Sequence, residues 1–250
     1  MTTDHALVLR LTAPMQSWGV RGGFPDYRDT LTHPTRSGVL GFLACALGHP
    51  RGTGPGNLAD LDLTVRVDRP GEHMDDFHTI GGQSNDEDEV VPSADGKCRE
   101  GAVLTRRAYL ADAAFTIALT GPPPLLHTLE NALDHPVYMP YLGRRACPPA
   151  APYNLGIHTG TVTQILGTTP MDRTRPIKGD TVTADVITTV THQDIGATHT
   201  LNDDPHGIRQ FAQRTVKTRP VSYPADLCMD RGATAADRYH RLHQYRYATS

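Results

Sequence analysis

Apolar positions along the chain fall into short runs whose spacing changes from strand-like to helix-like and back. Ala6-Leu7-Val8-Leu9-Arg10-Leu11 is apolar but for one residue and predicts a strand buried on both faces. Residues 12–34 hold Gly19, Gly22, Gly23 and three prolines and predict a loop. The clearest helix follows. Thr35 or Ser37 can cap it, Val39, Leu40, Leu43, Ala46 and Leu47 keep helical spacing, and Gly48 and Pro50 end it. Leu61, Leu63, Val65 and Val67 alternate with polar residues and predict a half-buried strand. Residues 70–102 are polar and acidic without helical period. Thr105 to Leu110 predicts a strand, Ala111-Asp112 a turn, and Phe115, Ile117 and Leu119 a further strand. A second helix follows Pro122-Pro123-Pro124, with Leu125, Leu126, Leu129 and Leu133 on one face and Pro136 as its stop. Val137 to Leu142 predicts another strand.

With 70–110 set aside, the order is strand, helix, strand, strand, helix, strand. That order predicts an α+β fold, a ferredoxin-like (RRM-like) domain over residues 1–150. Residues 70–110 become a β-hairpin thumb inserted between the second and third strands. Residues 151–250 predict a small β-rich C-terminal part. There Thr181 to Thr191 predicts a strand, and 159–200 is Thr-heavy without helix signals. The basic, aromatic stretch 233–247 predicts either a final helix or a mobile tail.

Charge changes this picture. The net charge is −3, which at first argues against a nucleic-acid partner. Yet residues 72–95 carry eight acids and no Lys or Arg, which leaves +5 for the rest of the chain. Of the 24 basic residues, 21 are Arg, whose planar fork suits phosphate and base stacking. No apolar run approaches the roughly 20 residues of a membrane span, and no signal-peptide pattern opens the chain. Cys45, Cys98, Cys147 and Cys228 form no C-x-x-C pair, so neither a zinc site nor a disulfide framework is expected. Cys45 lies on an apolar helix pattern and reads as a small core residue. A cytoplasmic protein is the expectation.

The search for catalytic chemistry returns little. His192, His199 and His206 recur every seven residues, but there is no H-E-x-x-H and no metal site or cofactor is expected. Arg51-Gly52-Thr53-Gly54-Pro55-Gly56 lacks the Lys of a phosphate loop and follows a helix rather than a strand. No Ser or Cys has an identifiable catalytic partner. Basic residues at structured corners stand out instead. Arg36 and Ser37 lie at a helix N-terminus, where free N–H groups suit a phosphate. Arg106 and Arg107 share a strand, so they must face opposite ways. Arg144 and Arg145 follow a strand directly. Arg209, Arg214, Lys217 and Arg219 fall in an acid-free stretch. Together these form the footprint of a backbone-gripping RNA protein.

Several blocks resemble one family. Ala13-Pro14-Met15-Gln16-Ser17-Trp18-Gly19 and Thr35-Arg36-Ser37-Gly38-Val39-Leu40-Gly41 resemble the N-terminal signature of the CasD family of type I-E CRISPR complexes. Phe77-His78-Thr79-Ile80 resembles its thumb entry and residues 105–115 its thumb exit. Pro140-Tyr141-Leu142-Gly143-Arg144-Arg145-Ala146-Cys147-Pro148 is the most specific match, and Arg209-Gln210-Phe211-Ala212-Gln213-Arg214 matches a C-terminal motif. The resemblance implies a non-catalytic subunit that binds the 5′ handle of CRISPR RNA and caps the backbone filament. Its partners would be the backbone subunit, the large subunit and, indirectly, target DNA. The RNA-binding candidates are Gln16, Trp18, Arg36, Ser37, His78, Arg106, Arg107, Tyr141, Arg144, Arg145, Arg209 and Arg214. The acidic run Asp86-Glu87-Asp88-Glu89 is expected at the thumb tip, away from RNA. The alternative is a metal-independent endoribonuclease that processes precursor CRISPR RNA, as in type I-C relatives. His78, Tyr109 and Arg107 would be its reacting groups.

Overall fold

The computed structural model describes residues 5–20, 27–80, 102–173, 179–189, 198–207, 210–229 and 232–248. The acidic run 86–89, Arg209 and His192 lie outside the described residues. Four strands and two helices form the centre: β1 (His5–Thr12), α1 (Arg36–Leu47), β4 (Asp62–Arg69), β7 (Ala114–Thr120), α2 (Pro123–Asp134) and β8 (Asn154–Thr159). The strands pair antiparallel in the order β4-β7-β1-β8. β1 reads as a continuous apolar run because both its faces are covered. Leu7, Leu9 and Leu11 pack with α1 and α2, whereas Ala6 and Val8 pack with residues of the helices on the far side.

The strand expected over 137–142 is absent. Val137 and Tyr138 instead donate their N–H groups to Ala46 O and Cys45 O, docking the segment on the last turn of α1. β8 takes the outer position beside β1. Its Asn154, Gly156 and His158 interrupt any apolar alternation. Gly156 has φ of +85° and lies opposite the register shift between Leu7 and Leu9.

Three further strands, β9 (Thr181–Thr189), β10 (Thr198–Gly207) and β11 (Gln210–Pro224), extend the same sheet, with β9 pairing to β4. Residues on both sides of position 150 thus share one sheet. The stretch 159–200, expected to lack helix, contains α3 (Val162–Thr168). Its start is a capping box, in which Thr161 accepts from Gln164 N and Gln164 Oε1 accepts from Thr161 N. The last segment is a helix, α4 (Ala235–Tyr247), capped in the same way by Thr234 and Asp237. Among the described residues no helix is long and apolar enough to cross a membrane.

The thumb is a second, smaller sheet. β5 (Glu72–Ile80) and β6 (Val103–Ala111) pair over nine positions. The other edge of β6 meets β2 (Met15–Gln16) and, in parallel, β3 (Tyr27–Arg28). β5 and β6 thus form an antiparallel pair whose connection, 81–101, lies outside the described residues, and β6 is joined to the segment that follows β1 through β2 and β3.

Candidate nucleic-acid interface

A groove of about 1500 Å³ runs between the exposed side of α1, the β2–β3 loop, residues 49–55 and the segment 138–148. Its walls are interlocked by the residues that the sequence singled out. Gln16 is fully buried: its Nε2 donates to Leu11 O and Ala113 O, and its Oε1 accepts from Trp18 Nε1 at 3.1 Å. Trp18, 1% exposed, presses on the first turn of α1. A β-carbon on Gly38 would lie 2.8 Å from its ring, so only glycine fits there. Neither Gln16 nor Trp18 is available to bases, contrary to the expectation; both hold the groove wall.

Arg36 is a second correction. It is 7% exposed and donates to Asp204 Oδ1 at 2.7 Å, to Ala59 O and to Leu61 O. Its backbone N–H, the group expected to receive phosphate, donates to Asp203 Oδ2 at 2.8 Å. The anion that the helix N-terminus attracts is thus supplied by the protein's own carboxylate. Arg214 is a third correction. It is 7% exposed and forks onto both oxygens of Asp203 at 3.0 and 2.7 Å, with Nη1 on Thr189 Oγ1. A guanidinium so matched and buried serves the junction of β10, β11 and α1.

Tyr141, Arg144, Arg145 and the half-buried Ser37 do line the groove. The loop 142–147 is closed by Leu142 N–H on Cys147 O and Cys147 N–H on Arg144 O, both 2.8 Å, with Leu142 and Cys147 buried beneath. Gly143 has φ of +81°, and a β-carbon there would lie 1.5 Å from Ser17 O. The loop presents Arg145 to solvent. Arg144 is drawn inward: its guanidinium carbon sits 4.5 Å from the centre of the Tyr109 ring and Nη2 donates to Arg28 O at 3.0 Å. Burial raises the Cys147 thiol above its usual pKa, while the Arg144 charge opposes that. Cys45, expected in the core, is half-exposed on the groove wall, its thiol donating toward Tyr138 O and Met139 O. Burial raises its pKa too, against the pull of Arg145.

On the thumb, Arg106 and Arg107 face opposite ways. Arg106 is exposed between Tyr27 and Phe77 in the cross-strand register. Arg107 shares its face with Asp76, His78 and Tyr109. Arg107 Nε and Arg144 Nη1 are buried without a hydrogen-bond partner among the described residues. His78 is half-exposed, its Nδ1 3.8 Å from Asp76. Arg28, His49, Arg51, Asn202 and Phe211 were missed as groove residues. Arg28 sits in a two-residue strand inside the stretch 12–34, which has no periodicity, and Arg51 opens the glycine-rich stretch that lacks the Lys of a phosphate loop. Among the described residues the lining contains four arginines (28, 51, 144 and 145) against one carboxylate, Asp29, a balance that favours anions. Among the described residues no group of three or more His, Cys, Asp or Glu converges in a way that could hold a metal ion.

Residues 6–220 match the model of a family described as CRISPR-associated protein (Cas_Cas5). The chain is 37% identical over 164 residues to the CRISPR system Cascade subunit CasD of Escherichia coli (strain K12), spanning 60% of this chain and 70% of that protein. Among solved structures, a chain of a "CRISPR RNA-guided surveillance complex" superposes with a TM-score of 0.81 at 37% identity, covering 96% of this chain and 99% of that one. A second, titled "Crystal structure of Cas protein", gives 0.60 at 30% identity, covering 90% and 98%. The match runs through the elements that build the groove, and the chain belongs to the CRISPR-associated protein family (Cas_Cas5).

Proposed function

We propose that this protein is the CasD-type subunit of a Cascade surveillance complex, and that its groove and thumb hold the 5′ handle of the guide RNA without cutting it. The observation that carries the reading is the groove's lining. Three separate segments converge to place Arg28, Arg51, Arg144 and Arg145 around one cleft with a single acid. Phosphate contacts of this kind fix register and orientation, the task of a subunit that caps a filament end. The four-stranded centre is read as a ferredoxin-like domain, since its antiparallel order is the one that fold uses. Backbone and large subunits would flank the protein in the cytoplasm, and target DNA would be met only through them.

The geometry also supports the non-cleaving reading over the endoribonuclease one. His78 and Tyr109 share a thumb face, but Tyr109 pairs with Met74, four positions from His78 along β5, roughly 13 Å away. Tyr109 is moreover covered by Arg144. His78 and Tyr109 thus do not lie side by side, which favours the non-cleaving reading.

The test is binding of handle RNA to the wild type and to Arg145→Ala and Arg28→Ala across a salt series. Each loss should weaken binding about tenfold. It should also flatten the log–log salt slope by about 0.7 per lost phosphate contact. Unchanged affinity and slope in both variants overturns the reading. Discrete cleavage of repeat RNA by the pure protein in EDTA, abolished by His78→Ala, would establish the enzyme instead.

A further inference from the structure

α4 lies outside the residues that match the family, and its two sides differ. One side is anchored: Leu242 is buried, Tyr245 stacks on His158 at 4.3 Å, and its hydroxyl meets Thr169 Oγ1 at 2.7 Å. The other side carries Tyr239, His243 and Tyr247, which recur every four residues and so form one row. Their ring centroids are 6.1 and 4.7 Å apart, and the tyrosines are 50% and 55% exposed. A row of three rings in water is not what a solvent-facing helix needs for stability. The helix also carries Arg238, Arg241 and Arg246 against one acid, Asp237.

The row ends at a slot of about 320 Å³ between α4, α2 and the β1–β8 edge. Leu126 and Ile157 line it with apolar surface, the Tyr247 ring forms one wall, and Glu130 and Thr159 add acceptors. Arg246 is ion-paired with Asp134 and lies 5.3 Å from the centre of the Tyr247 ring, bracing that wall. An apolar slot with an aromatic wall and a few converging polar groups has the character of a small-ligand site. Its one carboxylate, Glu130, lies 3.8 Å from His127 Nδ1 and leaves acceptor capacity for a planar group that donates N–H.

We propose that α4 and this slot form a second nucleic-acid site, separate from the groove. A single strand stacks along Tyr239, His243 and Tyr247 and lodges one amine-bearing base in the slot, its exocyclic N–H donating to Glu130. Stacking on aromatic side chains tolerates any base, and a carboxylate acceptor reads the amine.

The test is fluorescence anisotropy of the full chain with labelled 12-mers of deoxycytidylate, deoxyadenylate and thymidylate; only thymine lacks an exocyclic amine. The amine-bearing strands should bind about fivefold tighter. Glu130→Gln should cut that preference, and Tyr247→Ala should weaken all three at least fivefold, with Tyr247→Phe restoring affinity. The strands are titrated onto the chain with handle RNA already saturating the groove, where the fivefold preference should persist, so the two sites fail separately. Equal binding of all three strands, or indifference to Tyr247→Ala, overturns the proposal. So does cytidine monophosphate binding as tightly as its 12-mer. Loss of another subunit on Tyr247→Ala with strand binding intact would make the row a protein contact and overturn it as well.

Discussion

Gly143→Ala should damage RNA binding more than it damages the fold. The glycine has φ of +81°, where an L side chain costs about 1–2 kcal/mol. The larger effect is steric. The new β-carbon would lie 1.5 Å from Ser17 O, while real β-carbon contacts essentially never fall below 3.0 Å. The loop and the Ser17 backbone must therefore part by about 1.5 Å. That stretches the Ser17 N–H to Leu142 O bond, now 3.1 Å, and the Arg144 Nη2 to Arg28 O bond, now 3.0 Å. Each contributes about 0.5–1.5 kcal/mol net, so with the backbone strain the whole cost is about 2–5 kcal/mol. At this chain length that lowers Tm by about 4–20 °C. Gly179→Ala is the control, because Gly179 has φ of +93° and open space around it and carries only backbone strain. Thermal melts and handle-RNA titrations of the two variants separate the effects. Gly143→Ala should lose tenfold or more in affinity at a temperature where it remains folded, and Gly179→Ala should lose none. Equal melting shifts together with equal affinities would refute the reasoning, since the Ser17 contact would then set neither the loop nor the groove.

Asp203→Ala strands the buried Arg214 guanidinium and the Arg36 N–H together and should cost about 3–5 kcal/mol by urea denaturation, while salt dependence of RNA binding per folded molecule stays unchanged. Gly38→Ala forces the Trp18 ring off α1 and should lower both stability and groove affinity, seen as a red shift of the sole tryptophan's fluorescence. Acidification should destabilise the protein through His33 and His158. Burial lowers both their folded pKa values, so below about pH 6.5 the unfolded chain takes up the proton first. Their contribution is full above that pH and falls on acidification by at most about 1.4 kcal/mol per pH unit per histidine, measured by denaturation at pH 7.5, 6.5 and 5.5.

The helices and strands with a clean period were legible because one face of each is buried. Leu125, Leu126, Leu129 and Leu133 mark α2 unambiguously, as Phe115, Ile117 and Leu119 mark β7. The fourth central strand was not, because its bulge needs a glycine and its register places Asn154 and His158 inward. Those side chains are satisfied by Asp134, Glu130 O and Leu155 O, partners that only the fold supplies. α3 did carry a local signal in Thr161 and Gln164, but seven residues inside a Thr-rich stretch hide it.

The arginines show where sequence reasoning stops. Arg36, Arg214 and Arg145 look alike as basic residues at element ends. What separates them is Asp203 and Asp204, about 170 residues from Arg36 in the chain, which fold back onto α1 with β10. No local pattern announces that pairing, so each arginine's role is decided by which carboxylate the topology delivers. The same holds for the motif blocks. Gln16 clamps Trp18, Trp18 demands Gly38, and Ser17 O demands Gly143. These residues touch one another rather than a ligand. On the proposed function, a cleft that grips an anionic strand through Arg28, Arg51 and Arg145 would gain from having those guanidiniums held before the strand arrives, since ordering long side chains and loops on binding would cost about 0.5–1.5 kcal/mol for each one. The packed geometry of the wall would thus contribute to binding, even though its residues never meet the RNA in this reading.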